Sequence, residues 1–305
     1  MATLGELFSL PGQEAVRQME SLRDPVQYIT VLGAIQIAVC DLWASVGLIP
    51  DATLSVSLGD LVAPYGAGAL TREETMTALL SVGQRLLHKN ERDARLIHIP
   101  EGLDRARTLR DGGPQSLRVL GTCSPKNTML YCLADEAAAA ESYLHGQGVA
   151  ARVVTSRHPW HTTLMVPALA GVESDLAHMR PRRPTVPMFS SLRGRDISAD
   201  MTFAAGYFHS VPLEPFLFAE ATAAALDGGP AALVNVGPDP VGFPWIRETV
   251  AVLGADAQLV DSVRHQDPSA AWREGRRAMR RQLRHRPRLN MTNSGTAQDP
   301  VSSHS

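Results

Sequence analysis

Apolar and polar residues are distributed along the chain as expected for alternating helices and strands. Residues 26–50 are mostly apolar and rich in good helix formers, and they reach Gly47 followed by "LIP". This pattern predicts a buried helix that ends near Gly47 and leads to a strand, "DATLSV", at residues 51–56. A second helix is predicted to begin at Thr71, because "TREE" places Glu74 at the spacing of a capping box.

Shorter patterns alternate between residues 95 and 156. Four segments are typical of strands and two of helices. In chain order they are "RLIHI", the helical "PEGLDRARTLRD", "SLRVLGTC", "TMLYCLA", the helical "DEAAAAESYLHGQG" and "VAARVVTS". The order βαββαβ predicts a small split-βαβ domain inserted in a larger one. Further along, "AALVNVGPDPV" predicts a buried strand that ends in a Gly-Pro turn.

Composition limits the classes of function. The 305 residues suit one large domain that carries a smaller one, and the formal net charge of −2 argues against a general attraction to nucleic acid. Cys40, Cys123 and Cys132 show no CxxC spacing, so neither a zinc site nor a disulfide framework is implied. We find no signal peptide pattern and no apolar stretch that we judge long enough to span a bilayer. We therefore expect a cytoplasmic protein with no membrane partner.

The C-terminal part is strongly basic. Residues 264–288 contain nine arginines and two acidic residues, and the polar residues that follow are predicted to be disordered. An arginine-rich helix of this kind either docks an acidic partner or presents a solvated face.

The stretch from Ser55 to Gly59, S-V-S-L-G, has the form of a catalytic turn. Serine becomes a nucleophile when a base removes its proton, and a sharp strand-to-helix turn exposes the hydroxyl of Ser57. The same turn aims the amide of Leu58 at a developing oxyanion. The usual motif G-x-S-x-G has small flanking residues, and Ser55 is the next smallest replacement for the first glycine. Taken alone, the string also fits an ordinary turn.

Residues 36–71 resemble the nucleophile region of the malonyl-transferase-like acyltransferases of polyketide and fatty-acid synthesis. That region of the family reads as an apolar helix, "LW..WG..P", a strand, GHSxGE and "aA..aGaLs". Here "DLWASVGLIP" and "GAL" match in order and spacing, with Asp60 at the family glutamate.

Later segments extend the resemblance to about residue 255. "SRHPWHTTLMVPAL" is similar to the segment around the family's catalytic histidine, which places that base at His161. "HPWH" occupies the motif associated with acyl-group choice, so His158 is a candidate substrate-binding residue. "VPMFSSLRGRDI", "LEPFLFAEATAAAL" and "VNVGPDPV" resemble three further family segments. Without these matches, a histidine near an apolar stretch is more often structural.

The resemblance implies an α/β fold, with an α/β-hydrolase-like acyltransferase core and an inserted ferredoxin-like subdomain. The core would comprise residues 1–94 and 159–262, the subdomain residues 95–158, and the basic helix with its tail residues 263–305. The implied mechanism is ping-pong: Ser57 attacks an acyl thioester with His161 as base, and the acyl group passes to the phosphopantetheine thiol of an acyl carrier protein. Polyketide synthase subunits are the implied partners, and no metal or other cofactor is implied.

The sequence departs from the family in the acyl pocket. A family arginine holds the carboxylate of dicarboxylic acyl groups, and its position falls on Val82. Arg85 is close in sequence but lies nearly one helical turn away. Because an unpaired buried carboxylate is costly, we expect an uncharged acyl group.

Two further departures concern the oxyanion hole and the base. Gln13, in "LPGQ", either supplies the family's oxyanion glutamine or belongs to a later helical region, in which case the family's first strand is absent from this chain. We favour the second, because Gln13 precedes Ser57 by about half the family interval. The family histidine before the nucleophile is Val56. Asp239 replaces another family histidine and either orients His161 or is structural.

Three functions remain open at this stage. The first is an acyltransferase of polyketide biosynthesis, and the second is an editing thioesterase on the same scaffold. The third is a noncatalytic acyltransferase-like subunit that binds a synthase or a carrier protein.

Overall fold

The computed structural model describes residues 24–87, 94–154, 159–200, 205–229, 231–238 and 240–262, together with helical positions 273 and 277. We number the helices and strands within these ranges. The helices are α1 (Pro25–Ser45), α2 (Ala63–Gly66), α3 (Arg72–Arg85), α4 (Leu103–Gly112), α5 (Ala137–Gly146), α6 (Val166–Leu169), α7 (Val172–Asp175), α8 (Ala205–Ser210), α9 (Phe218–Leu226) and α10 (Phe243–Leu253). The strands are β1 (Thr53–Leu54), β2 (Ala94–Ile99), β3 (Arg118–Ser124), β4 (Asn127–Leu133), β5 (Arg152–Val154), β6 (Met188–Ser190), β7 (Arg195–Asp196), β8 (Phe216–Leu217), β9 (Ala231–Asn235) and β10 (Ala257–Asp261).

The predicted first helix is α1, which ends at Ser45, two residues before Gly47. Its N-cap is Asp24, whose carboxylate accepts from the amides of Val26 and Gln27, with Pro25 at the first helical position. Among the described residues, α1 is long and apolar enough to cross a membrane by length and composition. Our prediction that no stretch reaches that length is therefore wrong. One face of α1 packs in the protein interior through Ile29, Val31, Gly33, Ile37, Val39 and Trp43.

Strand β1 carries the chain into the turn at Ser57. It is shorter than predicted, with only Thr53 and Leu54 in the ladder, and it pairs in parallel with β6, which pairs antiparallel with β7. Helix α2 lies close to β1, because a Cβ at Gly66 would be 3.2 Å from the Thr53 methyl group. The absence of a side chain at Gly66 thus permits close packing on the strand.

Helix α3 closes the core behind this turn. Thr71 and Glu74 form the predicted capping box, in which each side chain accepts from the other residue's amide. Its buried face includes Ala78, Leu79 and Val82, and it joins one large cluster with α1, α6, α7 and α8. This cluster forms one wall of the region around Ser57.

The element order between β2 and β5 is the predicted βαββαβ. Its strands lie in the order β5-β2-β4-β3 with antiparallel neighbours, and β8 adds in parallel beside β3. This is the strand order of a split-βαβ unit. The domain boundaries named above stay a prediction.

The strand predicted from "AALVNVGPDPV" is β9, which pairs in parallel with β10. All five of its residues are half-buried, so the prediction of a buried strand is wrong. Within the described ranges β9 has a strand partner on one side only. The two parallel pairs, β1/β6 and β9/β10, belong to separate sheets, and the α/β-hydrolase-like core stays a prediction.

Candidate active site

Ser57 occupies a strained turn directly after β1. Val56 is extended, and a 3₁₀ helix from Ser57 to Leu61 follows it. The φ angle of Ser57 is 53°, in the left-handed region that residues with a Cβ rarely enter. Ser57 is half-buried rather than fully enclosed by the protein. The sequence prediction of a sharp strand-to-helix turn is therefore confirmed by the geometry.

The structure brings His161 to the hydroxyl of Ser57. The distance between Ser57 Oγ and His161 Nε2 is 2.7 Å, although 104 residues separate the two positions. His161 also has a left-handed φ of 59°, and its amide donates to the Pro212 carbonyl at 2.8 Å. Two residues with strained backbones are thus joined by one hydrogen bond. Strained residues of this kind cluster at active sites.

The second ring nitrogen of His161 fixes the proton arrangement. Nδ1 lies 2.9 Å from the carbonyl oxygen of Glu214. Because a carbonyl only accepts, Nδ1 carries the proton and donates it, and Nε2 is left as an acceptor for the Ser57 hydroxyl. The residue that orients His161 is therefore Glu214, through its main chain. Asp239, which sequence reasoning considered for this role, lies outside the described residues.

The burial of His161 lowers its pKa and favours the neutral form of the imidazole. The residue is 5% exposed, and the Phe216 ring packs edge-on with its centroid 5.2 Å from the imidazole. Burial lowers the pKa of His161 below its ordinary value of 6.5, against smaller opposing effects of the Glu214 carbonyl and the Asp60 charge. The imidazole is consequently neutral near pH 7, which is the state that accepts a proton.

A buried carboxylate beneath the turn was not assigned a role from the sequence. Asp60 is 1% exposed and accepts hydrogen bonds from the hydroxyls of Ser55, Ser190, Ser191 and Tyr207. The sequence showed only that Asp60 stands at the family glutamate. Three of its four partners lie at least 130 residues away along the chain, and this distance hid the cluster from sequence reasoning.

The predicted acyl-pocket residues have different surroundings. Val82 is fully buried in the same core cluster against which Leu58 and Trp160 pack. Arg85 is partly exposed and forms a bidentate ion pair with Asp175 of α7, with Nη2–Oδ1 at 2.7 Å. Arg85 and Asp175 also line an open cavity of about 420 Å³. Arg85 is thus already neutralised by a carboxylate of the protein.

Several sequence candidates lie outside the described residues, namely His158, Gln13, and Arg276, Arg280 and Arg281 of the basic segment. Within the ranges given above, no group of three or more His, Cys, Asp or Glu side chains is placed to hold a metal ion. The arrangement at Ser57 is that of a serine hydroxyl hydrogen-bonded to a neutral, oriented imidazole. Such a pair can attack an activated carbonyl.

Comparison with known proteins finds similar segments in polyketide synthases. The chain is 27% identical over 247 residues to the polyketide synthase GfsA of Streptomyces halstedii, which covers 78% of this chain and 3% of that protein. It is 26% identical over 238 residues to the atrochrysone carboxylic acid synthase of Aspergillus chevalieri, which covers 75% of this chain and 13% of that protein. The chain therefore spans only a small part of the curated relatives it matches.

Solved structures show the same fold. A loading acyltransferase from the avermectin modular polyketide synthase aligns with a TM-score of 0.71 at 22% identity, over 90% of this chain and 92% of that chain. The malonyl CoA-acyl carrier protein transacylase of Clostridium perfringens aligns with a TM-score of 0.74 at 13% identity, over 91% and 89%. The sequence model of the acyl transferase domain family matches residues 8–285, most of the chain. This protein belongs to the acyl transferase domain family found in polyketide synthases and in malonyl-CoA:carrier protein transacylases.

Proposed function

We propose that this protein transfers an uncharged acyl group from a thioester to the phosphopantetheine thiol of an acyl carrier protein, through an acyl-Ser57 intermediate. The observation that carries the proposal is the 2.7 Å separation between Ser57 Oγ and His161 Nε2, with Nδ1 tied to the Glu214 carbonyl.

The first half-reaction acylates Ser57. Oγ attacks the thioester carbonyl carbon while its proton moves to Nε2 of His161. When the tetrahedral intermediate collapses, the carbon–sulfur bond breaks and the departing sulfur takes the proton from His161 to leave as a thiol. In the second half-reaction the carrier thiol gives its proton to Nε2 and its sulfur attacks the acyl-serine carbonyl carbon. When this intermediate collapses, the acyl–Oγ bond breaks and Ser57 Oγ takes the proton back from Nε2, which restores both residues.

The tetrahedral oxyanion needs hydrogen-bond donors at the turn. The Leu58 amide follows the nucleophile and is the first donor that we propose. The Ser57 amide does not serve, because it donates to Ser191 Oγ at 3.0 Å. In this proposal the Leu58 amide donates to the oxyanion of the substrate, and the Ser57 amide donates to Ser191 of the protein.

The choice of an uncharged acyl group rests on Val82 and Arg85. A dicarboxylic acyl group needs a cation for its free carboxylate, and an apolar side chain stands at the position that carries the family arginine. Arg85 is the nearest arginine in sequence, and it is held by Asp175. His158 stays our candidate for a further contact with the acyl chain.

The test distinguishes transfer of the acyl group to a second carrier protein from its release as a free acid. A carrier protein loaded with an acetyl or a propionyl group is incubated with the protein and with a second, unloaded carrier, and both carriers are weighed by mass spectrometry. We expect acyl groups to appear on the second carrier, and Ser57→Ala to stop this. Release of free acid without transfer would assign the site to an editing thioesterase, and neither product would indicate a noncatalytic carrier-binding subunit.

A further inference from the structure

Asp60 accepts four hydroxyl hydrogen bonds from three parts of the chain. Oδ1 accepts from Ser55 at 2.7 Å, Ser190 at 2.5 Å and Tyr207 at 2.9 Å, and Oδ2 accepts from Ser191 at 2.6 Å. Ser55 precedes the nucleophile by two residues, Ser190 ends β6, Ser191 follows it, and Tyr207 lies on α8. The carboxylate therefore ties the nucleophile turn to the neighbouring strand and to a helix of the core.

One of these four donors reaches Ser57 directly. Ser191 donates its only proton to Asp60 Oδ2, and its oxygen accepts from the Ser57 amide at 3.0 Å. Ser190 makes a parallel arrangement that does not touch the nucleophile, because it donates to Oδ1 and accepts from the Leu192 amide at 3.2 Å. Ser190 Oγ also lies 3.4 Å from the Tyr207 hydroxyl. The two adjacent serines are similarly buried, and of the two only Ser191 contacts Ser57.

The strained backbone of Ser57 needs such a restraint. A φ of 53° is disfavoured for a residue with a Cβ, and it persists only where surrounding contacts enforce it. The amide of Ser57 lies on that strained φ bond. A hydrogen bond at this amide, itself anchored by a buried carboxylate, restrains the direction in which the hydroxyl points.

We infer that Ser191 and Asp60 form a positioning relay that holds the Ser57 backbone in its strained conformation and so keeps Oγ aligned with His161. The inference deepens the proposed function and rests on it. Ser191 and Asp60 are positioning residues, because neither lies at the reacting atoms. Ser55 contributes to the same relay, because its hydroxyl donates to Asp60 Oδ1 two residues before the nucleophile.

The groups around Asp60 are consistent with a fixed acceptor. Burial, and then the Asp60 charge, raise the pKa of Tyr207 well above its ordinary value, so the phenol is a neutral donor; Arg193 opposes this shift. The Asp60 charge also opposes the effect of burial on the pKa of His161. Loss of this carboxylate would therefore affect the base as well as the turn.

The experiment compares three variants in the full chain: Ser191→Ala, Ser191→Thr and the matched control Ser190→Ala. Each is treated with a fluorophosphonate, whose phosphorus is attacked by Ser57 Oγ with loss of fluoride, and with an acetyl thioester. The rate constant for labelling Ser57 is followed by intact mass at several reagent concentrations. The concentration series separates the maximal rate from the half-saturating concentration.

We expect Ser191→Ala to lower the maximal labelling rate at least about tenfold, because misaligned reacting groups lose rate steeply, with the half-saturating concentration little changed. Ser191→Thr keeps the hydroxyl and recovers most of the loss. Ser190→Ala also loses a buried hydrogen bond to Asp60, and its rate stays within about threefold of that of the protein without substitutions, because the Ser190 hydroxyl does not contact Ser57.

Other results overturn the inference. If Ser190→Ala and Ser191→Ala lower the maximal labelling rate equally, these serines act only through general packing. The same conclusion would follow if Ser191→Thr did not recover the rate. If the protein without substitutions reacts with the fluorophosphonate but with no thioester, the proposed function is contradicted, and the labelling rates of the variants still test the relay. If it reacts with neither reagent, both the proposed function and the relay are contradicted.

Discussion

Ser57 and His161 face each other with Oγ and Nε2 2.7 Å apart, and both residues adopt left-handed backbone conformations, with φ of 53° and 59°. Residues with a Cβ rarely adopt this region, although histidine enters it more often than serine does, so we infer that the surrounding fold stabilises both conformations. The hydrogen bond joins the two strained segments, and we expect it to determine the reactivity of Ser57.

The strain at Ser57 predicts an unusual order of stability. In Ser57→Gly the left-handed φ costs little, whereas in Ser57→Ala the strain remains. We expect the glycine variant to have a free energy of unfolding about 1 kcal/mol above that of the alanine variant, the reverse of the order in an ordinary helix. Urea denaturation of the two variants measures the difference, and a more stable alanine variant would show that the turn is unstrained in solution.

The pKa of His161 predicts the pH dependence of acylation. Only neutral imidazole accepts the serine proton, and burial lowers the pKa of His161 below 6.5. The lowered pKa keeps the base neutral as the pH falls through 6.5, so the rate of Ser57 acylation should hold there and decline only at more acidic pH. Rates measured well below the saturating thioester concentration report the pKa of His161 in the free protein. A half-maximal rate at or above pH 6.5 would contradict the described environment of His161.

Acyl-group choice is predicted to exclude a free carboxylate. We expect acetyl or propionyl thioesters to acylate Ser57 more than about tenfold faster than malonyl thioester, because a desolvated and unpaired carboxylate is costly. Arg85→Ala should leave this preference unchanged, since Arg85 is engaged with Asp175. Efficient malonyl transfer that Arg85→Ala removes would show instead that Arg85 leaves Asp175 to bind the substrate.

The basic segment is predicted to dock the acidic carrier protein. Charge reversal at Arg276, Arg277, Arg280 and Arg281 should weaken carrier affinity, and the loss should shrink at high salt because the attraction is electrostatic. Acylation of Ser57 by a small thioester provides the control and should be unaffected. Carrier binding that is unchanged by the reversal would assign the segment to a solvated face.

Sequence reasoning located the residues that are encoded locally. The turn at Ser57, the capping box at Thr71 and the βαββαβ order follow from patterns of a few residues each, and the structure contains them. The pairing of Ser57 with His161 needed an additional source, the resemblance to a family, because 104 residues separate them.

The features that sequence reasoning missed depend on the folded chain. Any residue has a main-chain carbonyl, so nothing in the sequence marked Glu214 as the partner of Nδ1. The hydroxyls around Asp60 are common residue types that become a cluster only when β6 and α8 reach the turn. The half-burial of β9 and its pairing with β10 were likewise not revealed by its apolar sequence.

The covalent state of Ser57 is the most direct measure of this account. The protein is incubated with acetyl, propionyl and malonyl thioesters, and its intact mass and the modified peptide are determined, with Ser57→Ala and His161→Asn as comparisons. Asparagine tolerates the left-handed backbone at position 161, so this variant removes the base with little added strain. We predict an acyl adduct on Ser57, absent in Ser57→Ala and formed at least about 100-fold more slowly in His161→Asn. An unmodified Ser57 with every donor, or an adduct that persists in Ser57→Ala, would contradict the account.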